Sequence, residues 1–83
     1  MEQHQVNITA FNKPEALERI LRVTRHRGFM VKQLTMVENE SSDILSLEFT
    51  VASQRPITLL YSQLEKLWDV NGIEVLQQKQ ISA

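Results

Sequence analysis

Apolar residues recur at every second position before Asn12 and at every third or fourth position after it. Before Asn12, every second residue is apolar: Val6, Ile8 and Ala10. This alternation predicts a strand, because successive side chains of a strand point to opposite faces. After Asn12, the inward positions follow a helical spacing, at Leu17, Ile20, Leu21 and Thr24. The chain up to Gly28 therefore predicts a strand followed by an amphipathic helix.

Signals for both ends of this first helix are present in the sequence. Asn12 and Glu15 have the spacing of a capping box, in which the first side chain caps the helix and the second returns a hydrogen bond. Pro14 suits the first turn, where a missing N–H costs little. Gly28 can take a positive φ just past the helix end. We therefore expect a helix that starts near Asn12 and ends before Gly28.

Two strands joined by a polar turn are predicted next. The second strand covers residues 29–37, and its apolar phase shifts between Val31 and Leu34, which favours a bulge near Lys32 and Gln33. The turn is ENESSD, residues 38–43. The third strand has the clearest alternation in the chain, with apolar residues at Leu45, Leu47, Phe49 and Val51.

A second helix and a fourth strand complete the pattern. Pro56 can open the helix, whose apolar residues follow spacings of three and four. The members of that stripe are Ile57, Leu60, Tyr61, Leu64, Leu67 and Trp68. Asn71-Gly72 is expected to end the helix, residues 73–77 form the last strand, and the tail to Ala83 is expected to fray.

The order βαββαβ predicts one α+β domain over residues 1–83. Two right-handed crossovers put both helices on the same face of a four-stranded antiparallel sheet, which is the ferredoxin-like sandwich. The face that packs on the helices would carry Val6, Ile8, Leu47 and Phe49. The other face would carry Asn7, Thr9, Ser46, Glu48 and Thr50. That second face is polar enough to meet water or a partner.

The composition narrows the possible functions. Nine Lys and Arg against ten Asp and Glu give a formal net charge of -1, which provides no general attraction to nucleic acid or to an anionic membrane. The absence of cysteine excludes a disulfide framework and a thiolate metal site. No apolar run reaches the roughly 20 residues of a membrane span, and the polar start MEQHQVNI has no signal-peptide core. We expect a soluble cytoplasmic protein with no nucleic-acid or membrane partner.

The segment RHRGF, residues 25–29, is the first candidate for binding chemistry. In the last turn of a helix, a cation interacts favourably with the helix dipole by roughly 0.3–1 kcal/mol. Two pairs with a favourable spacing of four lie on the same helix: Glu15 with Arg19, and Glu18 with Arg22. We therefore favour a mixed-charge, solvated helix face over a phosphate site. His26 has no nucleophile or carboxylate beside it in sequence, and His4 is no better a catalytic candidate.

Several functions known on this fold need residues that the chain lacks. RNA recognition needs aromatic and basic side chains on the exposed face of the third strand, where Phe49 falls in the core phase instead. An acylphosphatase-like enzyme would need an arginine in a glycine-rich turn after the first strand, where the chain has AFNKPEA. No metal-ligand spacing, glycine-rich phosphate loop or nucleophile–base pair is present. We expect no catalytic residue and no metal site.

Two segments resemble one known family. FNKPEALERILRVTRHRGFMVKQLTM, residues 11–36, resembles the opening half of an ACT domain, with its Asn-x-x-Gly-x-Leu turn, helix, Arg-Gly-Phe and strand ending in Leu-Thr. The matching residues are Asn12, Leu17, Arg27, Gly28, Phe29, Leu34 and Thr35. LLYSQLEKLWDVNGIEV, residues 59–75, resembles the last helix and strand of the small subunits of acetolactate synthase, also called acetohydroxyacid synthase. A single ACT domain resembles the isozyme II type of small subunit.

The resemblance implies a non-catalytic regulatory subunit without a cofactor of its own. Its partner would be the large catalytic subunit, which condenses two 2-keto acids in the biosynthesis of branched-chain amino acids such as valine and isoleucine. Thiamine diphosphate, FAD and magnesium would belong to that partner, and the small chain would activate or stabilise it by binding. The alternative is a stand-alone ACT-type sensor that binds an amino acid at a homodimer interface.

The resemblance also assigns an effector loop, with candidate residues Asn12, Glu15 and Ala16. In valine-sensitive relatives this loop binds the amino acid at a dimer interface, and Glu15 stands where the family has glycine. A second carboxylate about 4 Å from that of the ligand costs roughly 1 kcal/mol in water and about 4 at an effective dielectric of 20. This predicts no binding of valine. The alternative is that Glu15 only caps the helix and points away from the loop.

The second strand supplies the candidates for a dimer edge: Phe29, Val31 and Leu34. A chain of this length buries only roughly 60% of its unfolded surface and gains stability by association. An unpaired edge strand is a template for a second copy. We therefore expect a homodimer through this edge of the sheet, which is how ACT domains tend to pair.

Overall fold

The computed structural model describes residues 2–39 and 41–77, apart from the side chain of residue 77. Its elements are β1 (Glu2–Phe11), α1 (Pro14–His26), β2 (Met30–Asn39), β3 (Ile44–Ser53), α2 (Ile57–Leu64) and β4 (Val70–Gln77). The strands form one antiparallel sheet in the order β2-β3-β1-β4. The predicted ferredoxin-like βαββαβ fold is confirmed. The tail that was expected to fray lies outside the described residues.

One face of the sheet packs against both helices. Val6 and Ile8 of β1 and Leu47 and Phe49 of β3 are each at most 2% exposed, which confirms the predicted core phase. The helices complete this core with Ile20 from α1 and with Leu60 and Leu64 from α2. Full burial of an aliphatic or aromatic side chain of this size is worth roughly 1.5–3 kcal/mol. The centre of the sheet is therefore where the folding free energy is concentrated.

The edge strand β2 has the predicted bulge. Its pairing with β3 shifts between Val31 and Gln33, so Lys32 has no partner in the register. After the bulge, Leu34 and Met36 face Phe49 and Leu47 in the register and so share the helix side of the sheet. They are nevertheless 37% and 46% exposed. The helices leave this part of the edge strand uncovered.

The start of α1 differs from the prediction. The N-cap residue is Lys13, with φ -127° and ψ 144°, and among the described residues no side-chain hydrogen bond caps the helix there. Pro14 explains the position, because a proline ring excludes the helical conformation from the residue before it and is accepted at the first helical position. The predicted capping box between Asn12 and Glu15 is therefore wrong.

The RHRGF segment ends α1 as predicted. Arg25 and His26 form the last turn, and Gly28 has a φ of 87°. The N–H of Phe29 donates to the carbonyl of Thr24 at 3.0 Å, which is the longer hydrogen bond of a Schellman motif. The basic residues therefore surround a helix C-terminus, where their charge is favourable.

The second helix is shorter than predicted. α2 ends at Leu64, and the N–H groups of Leu67 and Val70 donate to carbonyls three residues earlier, in turns. Leu67 and Trp68, which the apolar spacing placed in the helix, therefore lie in these turns. Asn71-Gly72 lies inside β4 instead of ending a helix. Both aromatic members of the predicted stripe are exposed, Tyr61 by 37% and Trp68 by 62%.

Candidate effector loop, sheet edge and charged clusters

The three effector-loop candidates lie at the N-terminal end of α1 but do not point into one site. Asn12 and Glu15 are exposed, whereas Ala16 is completely buried. The N–H of Asn12 donates to the carbonyl of Asp43 at 2.9 Å, which ties the loop to the turn before β3. Within residues 2–39 and 41–77, Glu15 forms no ion pair. Its carboxylate therefore stands in the first helical turn without a counterion from the described part of the chain.

An ion pair that was not predicted from the sequence lies beside this loop. Arg19 donates a hydrogen bond to Oδ2 of Asp69, whose side chain is 1% exposed. The main-chain carbonyl of Asp69 accepts the N–H of Phe11 at 2.9 Å. Asp69 thus connects α1, the end of β1 and the start of β4. The sequence could have indicated this pair, because Asp69 lies inside the apolar run LWDV and a charged residue that is buried among apolar residues needs a partner.

Both predicted charge pairs on α1 are wrong for the described part of the chain. Neither Glu15 with Arg19 nor Glu18 with Arg22 lies within ion-pair distance. Arg19 turns to Asp69 instead, because attraction to a buried carboxylate is screened less by water than attraction to an exposed one. The face of α1 is therefore solvated, as expected, but without these two pairs.

Trp68 is an exposed aromatic side chain with two cations near its ring. Nζ of Lys13 lies 4.5 Å from the centroid of its ring, and Cζ of Arg19 lies 5.8 Å from it. Cations within about 6 Å of an aromatic face contribute roughly 0.5–1 kcal/mol at exposed sites. Because Lys13 is the N-cap residue of α1, Trp68 lies beside the effector loop.

The dimer-edge candidates divide between the core and the free edge of the sheet. β2 is an edge strand in the strand order. Val31 is half-buried and Leu34 is 37% exposed, but Phe29 precedes the strand and is 2% exposed in the core. Phe29 therefore supports the fold from inside, and a pairing edge would use Val31 and Leu34.

The two histidines have different surroundings. His26 is exposed at the end of α1. His4 is 6% exposed on the core side of β1, with Nε2 3.5 Å from a carboxylate oxygen of Glu2. Among the described residues, neither ring nitrogen of His4 has a hydrogen-bond partner. A buried polar group in this state costs stability, so His4 is a structural weak point.

The described ranges also bear on metal and membrane sites. Within residues 2–39 and 41–77, no group of three or more His, Cys, Asp or Glu side chains is placed to hold a metal ion. In those ranges, no helix combines the length and the apolar character that crossing a membrane requires.

Comparison with known proteins gives the family. A family model described as "ACT domain" matches residues 12–73. The small subunit of acetolactate synthase isozyme 2 from Escherichia coli K12 is 49% identical over 77 residues, which cover 93% of this chain and 88% of that protein. The chain belongs to the ACT domain family, among the small subunits of acetolactate synthase. The subunit of the same name from Shigella flexneri has the same identity and coverage.

Solved structures of this family share the fold. The acetolactate synthase small subunit of Thermotoga maritima superposes with a TM-score of 0.77 at 24% identity, over 90% of this chain and 47% of that chain. The ACT domain of the GTP pyrophosphokinase from Chlorobium tepidum has a TM-score of 0.75 at 17% identity, over 90% of this chain and 97% of that domain. At such identities the likeness shows the fold alone, and the fold agrees with the ACT assignment.

Proposed function

We propose that this chain is the non-catalytic regulatory subunit of an acetolactate synthase. It binds a large catalytic subunit and raises the activity or the stability of that subunit. The identity of 49% to the Escherichia coli small subunit, across 93% of this chain and 88% of the relative, carries the proposal. The match spans both halves of the fold, so the whole chain, residues 1–83, is proposed to act as one ACT domain.

In this proposal, the chemistry belongs to the partner. Thiamine diphosphate, FAD and magnesium bind to the large subunit, which condenses 2-keto acids in the cytoplasm on the route to branched-chain amino acids. The small subunit contributes a binding surface and no reacting group. Removing it would therefore change the rate, the cofactor affinity or the stability of the large subunit without changing the product.

The proposed activity is tested by acetolactate formation. A matching large subunit of acetolactate synthase is assayed alone and with increasing amounts of the small chain, and the small chain is assayed by itself. We expect no turnover by the small chain and a saturable gain for the mixture. A large subunit whose rate, cofactor affinity and stability are all unchanged by the small chain would overturn the regulatory role.

We also propose that the small subunit pairs with a second copy through the free edge of β2. Leu34 and Met36 on the helix side of this strand are 37% and 46% exposed. An edge strand presents unpaired N–H and C=O groups to which the same strand of another copy can bond. Joining two edges would extend the sheet and cover these apolar side chains.

Sedimentation equilibrium of the isolated chain tests the pairing. We expect a dimer at micromolar concentration and a shift towards monomer for Leu34→Lys. Leu59→Lys on α2 is the matched control, because Leu59 is 38% exposed and lies away from the edge. A monomeric parent chain, or equal effects of the two substitutions, would exclude the β2 edge.

The alternative function is a stand-alone amino-acid sensor. The exposed carboxylate of Glu15 in the first turn of α1 opposes it, since a free amino acid would bring its own carboxylate to this helix N-terminus. Affinity purification of the tagged chain from its own cells separates the two functions. Recovery of the large subunit in a saturable complex favours the regulatory subunit, and binding of an amino acid without that complex favours the sensor.

A further inference from the structure

Arginine side chains are concentrated at one end of the molecule. α1 and β3 end there, and β2 and α2 begin there. Three arginines are exposed at this end: Arg25, Arg27 and Arg55. We call the surface that they form the basic end. Glu2 is the acidic residue that the register of β1 and β3 places nearby, opposite Ser53.

The two loops of the basic end are fixed to each other. Oγ of Ser53 donates to the carbonyl of Gly28 at 2.9 Å and accepts the N–H of Arg55 at 3.0 Å. Ser53 is 4% exposed, so this link is inside the fold. The side chain of Arg55 lies against Gly28, where an added Cβ would come within 3.0 Å of Nε of Arg55. Gly28 therefore leaves the space that Arg55 occupies.

The positive charge at the basic end is not neutralised within the described chain. No carboxylate there lies within ion-pair distance of Arg25, Arg27 or Arg55. Arg27 donates to the neutral amide oxygen of Gln63 at 2.9 Å, which orients the guanidinium and leaves its charge intact. As far as the structure describes the chain, the basic end thus offers three guanidinium groups without an ion-pair partner, two of them held by contacts within the fold.

The surroundings of these arginines favour a protein partner. Met30, which is 51% exposed, lines a shallow depression together with Gly28 and Arg55. Arginine and methionine are enriched at protein–protein interfaces, whereas lysine is depleted. A guanidinium also binds a carboxylate with two parallel hydrogen bonds. The net charge of -1 for the whole chain gives no broad attraction to a polyanion such as nucleic acid.

We propose that the basic end is the surface that docks on an acidic patch of the large catalytic subunit. The proposal rests on the proposed function and adds the site of contact to it. Charge complementarity of this kind speeds the encounter of two proteins and fixes their orientation. The docking surface uses the end of α1, the loop before α2 and Met30 at the start of β2, whereas the proposed homodimer uses Leu34 and Met36 farther along β2. One small subunit could therefore make both contacts.

The rate of association with the large subunit tests this surface. Arg25→Glu is the main variant, because within the described residues the Arg25 side chain forms no ion pair and its removal spares the fold. Lys13→Glu is the matched control, since Lys13 is also exposed, changes charge by the same amount and lies at the opposite end of α1 from Arg25. Arg55→Gln tests the second guanidinium without reversing its charge.

We expect Arg25→Glu to slow association about tenfold at low salt and Lys13→Glu to change it less than about twofold. The difference should shrink as salt rises, because the screening length falls from about 10 Å at 0.1 M to about 3 Å at 1 M. Equal rates for the two variants would overturn the docking surface and leave the proposed function standing. A parent chain that does not bind the large subunit would overturn both. Loss of retention on double-stranded DNA in Arg25→Glu, with unchanged subunit association, would also overturn the proposal.

Discussion

The ion pair between Arg19 and Asp69 predicts an asymmetry between two substitutions. Arg19→Met leaves a carboxylate that is 1% exposed without its counterion. Removing one partner of a buried pair costs roughly 3–5 kcal/mol, and because the Arg19 side chain is 39% exposed we expect about 3 kcal/mol. Asp69→Asn leaves a guanidinium that reaches water and an amide that still accepts a hydrogen bond. That change should cost only about 1–1.5 kcal/mol.

These magnitudes are large for a small domain. At roughly 0.05–0.15 kcal/mol per residue, the 83 residues give a free energy of unfolding of about 4–12 kcal/mol. A loss of about 3 kcal/mol is therefore at least a quarter of the total. It should lower the midpoint of thermal unfolding by about 12–24 °C, against about 4–12 °C for Asp69→Asn.

Urea unfolding measures both costs. The fluorescence of Trp68, the single tryptophan, and far-UV circular dichroism are followed at one fixed protein concentration, because association contributes to apparent stability. Arg22→Met is the control, since Arg22 is exposed on the same helix and has no ion pair in the described chain; it should stay within about 0.5 kcal/mol of the parent. A loss for Asp69→Asn that equals or exceeds that for Arg19→Met would refute the reasoning.

Three further predictions concern single positions. Gly28→Ala should destabilise the protein by about 1–2 kcal/mol in a thermal melt, because the φ of residue 28 is 87° and the added Cβ would press on Arg55. Gly72→Ala is the control and should cost less in the same melt, because the space around Gly72 is open. His4→Leu should leave the melting temperature unchanged or raise it, since it removes two buried nitrogens without partners in the described residues; a marked fall would reveal a hidden role for the ring. Titration calorimetry should detect no valine binding by the parent chain and weak binding after Glu15→Gly, and tight binding by the parent would contradict this.

Much of the fold follows from local patterns in the sequence. The alternation through Val6 and Ile8, and again through Leu47 and Phe49, identified the buried face correctly, because the period of a strand fixes which side chains share a face. The irregular phase near Lys32 located the bulge. Gly28 marked the end of α1, since a positive φ strongly favours glycine there. The order of motifs along the chain also identified the ACT family, which the comparisons confirmed.

The tertiary structure decided which groups meet across the fold. Arg19 and Asp69 are 50 positions apart, and no local period predicts that a guanidinium will leave Glu15 for a carboxylate buried on another element. The apolar spacing after Leu64 fits both a helix and a series of turns, and the strand that starts at Val70 selects the turns. Hydrophobic periodicity reports how a segment is oriented towards the core. Desolvated charge pairs and the ends of elements depend on what the rest of the chain packs against them.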